Sequence, residues 1–160
     1  MILGMTPLTF IHVLLSLIGI FAGAIVLIGF LTAKRLDGWT AVFLATTVLT
    51  SVTGYFFPFH KLLPSHIVGA ISLVALAIAI AARYSKQMAG SWRRIYVIFA
   101  MLSLYLNVFV LVAQLFMKVP SLHLLAPTGS EPPFAIAQTV VLVLFIGLSV
   151  LADKRFRPGT

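Results

Sequence analysis

Two histidines lie six residues apart in a short polar segment between two long apolar stretches. His60 and His66 stand there with Lys61, and Pro58 and Pro64 occur in the same segment. Imidazole binds zinc, copper and haem iron, and it exchanges hydrogen bonds with polar ligands. The spacing is not specific to any metal. The segment is therefore either a binding site or only a turn. The apolar stretches on each side of it help to decide between the two.

The composition indicates that these elements lie in a membrane. Of the residues 61% are hydrophobic and only 9% are charged, and the mean hydropathy is +1.15. Soluble domains are about 45–50% apolar and about 25% charged. The chain has no cysteine, which excludes disulfides, iron–sulfur clusters and thiol catalysis.

Five stretches are long and apolar enough to cross roughly 30 Å of hydrocarbon. They cover about residues 7–33, 39–57, 64–82, 92–117 and 134–152. We expect one domain, 1–160, that folds as an all-α bundle of five transmembrane helices. Pro58 should end the second helix and Pro64 should begin the third, and Asp37 should cap the second.

The basic residues predict the orientation of this bundle. Two lie on one side, Lys61 and Lys118, and nine on the other: Lys34, Arg35, Arg83, Lys86, Arg93, Arg94, Lys154, Arg155 and Arg157. Lys and Arg favour the cytoplasmic side, so the C-terminus should be cytoplasmic and the N-terminus outside. That arrangement needs an odd number of crossings. It also accounts for the net charge of +8, so we predict a lipid bilayer and no nucleic acid as the partner.

With this orientation, the polar residues of the outer half form a candidate pocket. All four histidines fall on the outer side: His12, His60, His66 and His123. The predicted lining is His12, His66, Gln114 and Gln138, with His60 and His123 at the mouth. Such a pocket could bind haem, a metal or a quinone headgroup. The alternative is that the histidines lie in wet loops and the amides join helices, in which case no cofactor binds.

The sequence contains few candidate catalytic residues. Asp37 and Asp153 lie beside basic residues, and Glu131 stands between Ser130 and Pro132. There are no paired carboxylates, no nucleophile elbow and no phosphate loop. We predict that the protein is not an enzyme.

We predict a non-catalytic membrane protein that packs its helices in a homo-oligomer or a larger membrane complex, for which Gly19-x-x-x-Gly23 is a close-packing motif. Two alternatives remain. The second function is the ligand or cofactor protein with the outer pocket. The third is a small transporter or channel along Asn107 and a hydroxyl stripe of the second helix, consisting of Thr46, Thr47, Thr50, Ser51 and Thr53.

Four segments of the sequence resemble those of a known protein family. They are residues 37–41 (DGWTA), 51–59 (SVTGYFFPF), 104–110 (LYLNVFV) and 130–134 (SEPPF). They resemble a family of small uncharacterised bacterial multi-pass membrane proteins, over most of the chain from the first helix to Phe156. The resemblance implies a bacterial inner-membrane protein. It supplies no activity, cofactor or catalytic residue.

Overall fold

The computed structural model describes residues 4–57 and 64–157. Six α-helices cover most of this part: α1 (Pro7–Leu31), α2 (Asp37–Gly54), α3 (Pro64–Ile80), α4 (Trp92–Lys118), α5 (Pro120–Leu125) and α6 (Pro132–Arg155). α3 continues as a π-helical turn, Ala81–Ser85. The described residues contain no strand. Pro58, His60 and Lys61 lie outside them, and so do the predicted helix end at Pro58 and the predicted place of His60 at the pocket mouth.

Four helical segments of the described chain are long and apolar enough to span a membrane. They are Pro7–Leu31, His66–Ser85, Trp92–Lys118 and Pro132–Arg155. The protein is therefore an all-helical membrane protein. α2 is not one of these four, because its 18 residues include six hydroxyl side chains and Asp37.

Prolines and one hydroxyl set the helix starts. Thr6 caps α1 by accepting a hydrogen bond from the Thr9 amide at 3.2 Å, and Pro7 follows it. α6 begins at Pro132, two residues before its predicted start, because its first turn tolerates proline. Pro120 begins α5, a short helix in the connection between α4 and α6.

The expected cap of α2 is wrong. Leu36 occupies the capping position in the left-handed region, at φ 46°, and makes no side-chain capping bond. Asp37 is the first residue of the helix itself. Its carboxylate pairs instead with Arg83 and, at 3.3 Å, with Arg35. The aspartate thus joins the start of α2 to the π-helical turn after α3 and does not cap α2.

Contacts between helix ends show which ends of the helices lie together at each end of the bundle. The start of α1 meets the end of α2 through a 2.9 Å hydrogen bond between His12 and Thr53. The Tyr55 hydroxyl donates to the His66 carbonyl at 2.6 Å and so joins the end of α2 to the start of α3. At the opposite end, Arg93 of α4 pairs with Asp153 of α6 at 3.1 Å. The bundle therefore has a histidine end and an ion-pair end.

An aromatic core closes the ion-pair end. The ring of Phe30 lies 5.7 Å from that of Tyr96 and 4.8 Å from that of Phe156. The guanidinium of Arg83 lies over the Tyr96 ring at 5.2 Å. The side chain of Tyr96 is fully buried. The buried cation and the two phenyl rings explain why it turns inward.

The close-packing glycines of α1 are used inside the chain. A Cβ on Gly23 would lie 2.5 Å from Leu104 and 3.0 Å from Phe43. A Cβ on Gly19 would lie 3.0 Å from the Thr47 hydroxyl and 3.3 Å from the Asn107 amide. This face therefore lets α2 and α4 approach α1.

Candidate functional site

A cavity of about 610 Å³ opens between four helices at the histidine end. The first half of α1, the second half of α2, the start of α3 and the second half of α4 form its walls. His12, His66 and Gln114, three of the four predicted site residues, line it. The Gln114 amide makes no hydrogen bond within the described part of the chain, which leaves it available to a ligand.

The fourth predicted residue, Gln138, does not line this cavity. Its side chain is 8% exposed, and its Nε2 donates to the Phe109 carbonyl at 3.1 Å. Its Oε1 is buried without a partner among the described residues. Gln138 thus ties α6 to α4. His123, predicted at the mouth, is exposed on α5 and is not part of the lining, and His60 lies outside the described residues.

The hydrogen bond to Thr53 favours one tautomer of neutral His12. The Thr53 hydroxyl lies 2.7 Å from the Leu49 carbonyl, to which it can donate its single proton. With the proton placed there, Thr53 accepts from His12, whose Nδ1 lies 2.9 Å away. Nε2 then carries the lone pair, and it bonds to no other described residue. His12 can thus accept a ligand hydrogen bond or coordinate iron or another metal.

The position of His66 is set by the ring of Tyr55, which packs against α3. It is 9% exposed, and its ring lies 5.8 Å from that of Tyr55. Tyr55 fits against α3 because residue 69 is glycine, where a Cβ would stand 3.1 Å from the tyrosine hydroxyl. The imidazole of His66 is therefore held at the cavity wall by a packed contact.

The floor of the cavity is polar. Ser16 donates to Oδ1 of Asn107 at 3.0 Å, while Nδ2 of Asn107 has only a long contact of 3.5 Å to the Ser16 carbonyl. The hydroxyl of Thr47 is buried without a partner among the described residues. Both donors face the bare backbone of Gly19.

The floor lies near the middle of the bundle. The lining of α4 runs from Leu106 to Lys118, which corresponds to about 18 Å at 1.5 Å per residue. Below the floor, Phe43 and Leu104 pack against Gly23 in a buried apolar layer. The cavity therefore ends at this layer and does not continue to the ion-pair end.

The charges around the cavity have one sign. Lys118 lies at its mouth, and no Asp or Glu is among its described lining residues. The described part of the chain also contains no group of three His, Cys, Asp or Glu side chains that could hold a metal ion. A metal bound between His12 and His66 would need further ligands from the bound molecule or from water.

No family model, no curated protein and no solved structure matches the chain.

Several lining residues were not predicted as pocket residues from the sequence: Ser16, Tyr55, Ser72 and Lys118. Ser16 had a usable signal, because Thr9, His12 and Ser16 follow a spacing of three and four that places them on one helix face. Ser72 gave no such signal. Its hydroxyl oxygen lies 3.3 Å from that of Ser51 on the neighbouring helix.

Proposed function

We propose that this protein binds a lipid-soluble small molecule in the cavity at its histidine end. The observation that carries the proposal is that His12, His66 and Gln114 line one cavity with a polar floor. Its volume of about 610 Å³ lies within the roughly 300–1,000 Å³ of small-molecule sites. Its walls are mainly apolar with a few polar groups, as in such sites.

The cavity favours binding over helix association as the function. The Gly19 and Gly23 face, which motivated the association hypothesis, packs against α2 and α4 of the same chain. An oligomer or a larger complex would have to use another surface, such as the outer face of α6. The apolar layer of Phe43 and Leu104 below the floor likewise supports binding over transport through the bundle.

We propose that the chain crosses a bacterial plasma membrane five times, with α2 as the fifth crossing. α2 runs antiparallel to α1, and its two ends contact the two ends of the bundle through Asp37 and Tyr55. Arg83, Arg93 and Arg94 lie at the ion-pair end. By the positive-inside rule that end is cytoplasmic, which puts the N-terminus and the cavity mouth outside.

Purification from the native membrane tests the proposal. Val110 lines the cavity, and Phe in its place would fill part of it. We expect wild-type protein to retain one class of organic molecule, identified by mass spectrometry, and the Val110→Phe variant to lose it. Val143→Phe is the matched control, because Val143 is an exposed residue of α6. The same samples are examined for haem absorption and metal content.

Each outcome has a clear meaning. A bound organic molecule that Val110→Phe removes and Val143→Phe retains supports the proposal. Haem absorption that is lost on replacing His12 would assign the cavity to haem. Identical small-molecule contents in all three proteins, with no chromophore and no metal, would overturn the proposal.

A further inference from the structure

The mouth of the cavity has a cation without a counter-ion. Within the described ranges, Lys118 is the one Lys or Arg at the histidine end, and it lines the cavity. It makes no ion pair or hydrogen bond with the described residues, whereas arginines at the other end of the bundle pair with Asp37 and Asp153. The last turn of α4 favours a cation by itself. The charge of Lys118 is therefore informative only together with the cavity that it faces.

Gln114 provides a second donor beside this cation. It lies four residues before Lys118 on α4, so the two side chains share one helix face and are about 6 Å apart along the axis. Its amide makes no hydrogen bond within the described ranges. A carboxylate has two oxygens that only accept, and it can pair with an ammonium and an amide at once. One cation also balances one negative charge, so the mouth is suited to a singly charged head group.

Below the mouth, the wall of the cavity offers little to an anion. Val110 and Leu111 line it on α4. On α2, the hydroxyls of Thr50 and Ser51 lie 2.7 Å and 3.1 Å from carbonyls of their own helix, to which they can donate. With Nδ1 bonded to Thr53, His12 presents the lone pair of Nε2 and no donor. A carboxylate therefore finds its donors at the mouth, and the wall below suits an alkyl chain.

The size of the cavity fits one such chain. α1 packs on α2, α2 on α3, α3 on α4 and α4 on α1, so helices surround the cavity. Lys118 and Asn107 lie about 16 Å apart along α4, and an extended chain advances roughly 1.2 Å per bond, so about a dozen carbons reach the floor. At roughly 30 Å³ per methylene, close to the volume of a water molecule, one tail takes about 360 Å³. Two tails would exceed the cavity volume of about 610 Å³.

We propose that the cavity binds a single-chain alkyl carboxylate, with its head group at the mouth and its tail towards the floor; this rests on the proposed function. The carboxylate pairs with Lys118 and accepts a hydrogen bond from the Gln114 amide. The tail extends along the apolar wall. It ends above Ser16 and Asn107, whose side chains are hydrogen-bonded to each other at 3.0 Å and close the site.

Three probes with the same tail test the head group: dodecanoate, dodecanol and dodecylammonium. Binding to the full chain in phosphatidylcholine nanodiscs is measured by native mass spectrometry at mildly alkaline pH, with the probes at equal mole fractions. We expect dodecanoate to bind about tenfold more tightly than dodecanol, because one hydrogen bond to a charged group corresponds to at least that factor. Dodecylammonium should bind more weakly than either, since it would bring a second cation to Lys118.

Substitutions at the mouth locate the contact. Lys118→Met removes the charge and keeps the length of the side chain, so dodecanoate affinity should fall about tenfold while dodecanol binding stays unchanged. Lys118→Glu should reverse the order of the two charged probes, a result that misfolding cannot produce. Lys34→Met is the matched control, because Lys34 is exposed in the connection between α1 and α2, at the opposite end of the bundle.

The length of the tail tests its direction. Hexadecanoate has the same head group as dodecanoate and a tail too long for the distance between Lys118 and the floor. In competition at equal mole fraction in the bilayer, we expect dodecanoate to occupy the cavity in preference to hexadecanoate. An equal or greater occupancy by hexadecanoate would overturn the placement of the tail towards the floor.

The outcomes separate this inference from the proposed function. Equal binding of the three dodecyl probes, with no effect of Lys118→Met or Lys118→Glu, would overturn carboxylate recognition and leave an apolar-ligand cavity. Absence of binding by every probe, together with a native small molecule that Val110→Phe removes, would also overturn the carboxylate while retaining the cavity as a site. If no probe binds and no native molecule is found, both proposals fail.

Discussion

At the scale of residues, the glycines of α1 determine how closely the central helices approach. Gly23 stands where a Cβ would lie 2.5 Å from Leu104 and 3.0 Å from the Phe43 ring, and both neighbours are buried. The apolar layer that ends the cavity is formed by this contact. An added methyl group has no space unless Leu104 changes its rotamer or the helices separate.

Gly23→Ala should therefore destabilise the protein. Overpacking of a core costs about 1–3 kcal/mol, and we expect a loss of that size in the free energy of unfolding, measured by SDS titration in mixed micelles. Gly147→Ala is the control, because no atom lies within 4 Å of a Cβ at that position. If both variants unfold at the same SDS fraction as wild type, the close packing of α1 on α4 is not as described.

Asp37 has two arginine partners of very different burial. The side chain of Arg83 is 2% exposed, whereas those of Arg35 and Asp37 are 53% and 70% exposed. Nε and Nη1 of Arg83 have no hydrogen-bond partner among the described residues. The carboxylate of Asp37 is thus its described ionic partner, and the π-helical turn Ala81–Ser85 carries it there.

Asp37→Asn should cost more than removal of the exposed partner. The variant leaves the buried guanidinium without a carboxylate, and an unmet buried group costs about 1–3 kcal/mol. Arg35→Gln breaks an exposed pair, for which we expect less than about 1 kcal/mol. Both are measured by thermal unfolding in detergent. Equal small losses in the two variants would show that the Arg83 contact contributes little.

At the scale of elements, Arg93 of α4 holds the end of α6. Its guanidinium donates to the Asp153 carbonyl at 3.0 Å, the Phe156 carbonyl at 2.8 Å and the Asp153 carboxylate at 3.1 Å. These bonds satisfy carbonyls that a helix end leaves without partners. Phe156 is thereby fixed in the aromatic core of the ion-pair end.

Replacement of Arg93 should loosen this end without unfolding the bundle. Lysine lacks the planar fork that reaches several acceptors at once. We expect Arg93→Lys to accelerate amide hydrogen exchange at residues 154–157 by about tenfold, which corresponds to roughly 1.4 kcal/mol of local stability. Arg94→Lys is the control, because Arg94 is 61% exposed and, within the described ranges, pairs with Asp153 alone. Unchanged exchange in Arg93→Lys would contradict the clamp.

The connection between α5 and α6 folds around Glu131. The Thr128 hydroxyl and the amides of Thr128 and Ser130 donate to its carboxylate. These hydrogen bonds, the Thr128 hydroxyl foremost, lower the pKa of Glu131 below its ordinary value. They favour the charged form, so the loop is most ordered above the ordinary pKa of a glutamate.

Acid should therefore disorder this loop. Since the folded-state pKa is lowered, the stabilising contribution is complete above the ordinary pKa and is lost as the pH falls through the lowered value. Glu131 is the chain's one glutamate, so a ¹³C-labelled carboxyl gives a single titration curve. Thr128→Ala should raise the pKa towards the ordinary value, and Ser130→Ala, whose hydroxyl contacts Thr128, should raise it less. Identical curves in all three proteins would refute this network.

At the scale of the whole molecule, the sequence predicted the kind of fold because helix length and apolar content are local properties. It placed His12, His66 and Gln114 at one end by orientation and depth alone. It could not show that Gln138 turns to the Phe109 carbonyl, because helix rotation is set by packing. Nor could it show that Asp37 would meet Arg83, since that partner lies 46 residues further along.

The membrane topology determines on which side of the membrane the cavity mouth lies. Of the described helices, four qualify as spans by length and apolarity, and α2 does not. If α2 crosses the membrane, residues at its two ends are on opposite sides. If it does not, the charged connection before it and the cavity mouth share one side, and the positive-inside argument fails.

Single cysteines can decide this, because the chain has no native cysteine. Gly38 and Phe56 are exposed near the two ends of α2, and Ser91 and Ser121 are exposed near the two ends of α4. We expect a membrane-impermeant maleimide, added outside intact spheroplasts, to label Phe56→Cys and Ser121→Cys and to spare Gly38→Cys and Ser91→Cys. Detergent should then expose all four. The reverse pattern would put the cavity mouth in the cytoplasm, and equal labelling of Gly38→Cys and Phe56→Cys before lysis would remove α2 from the spans.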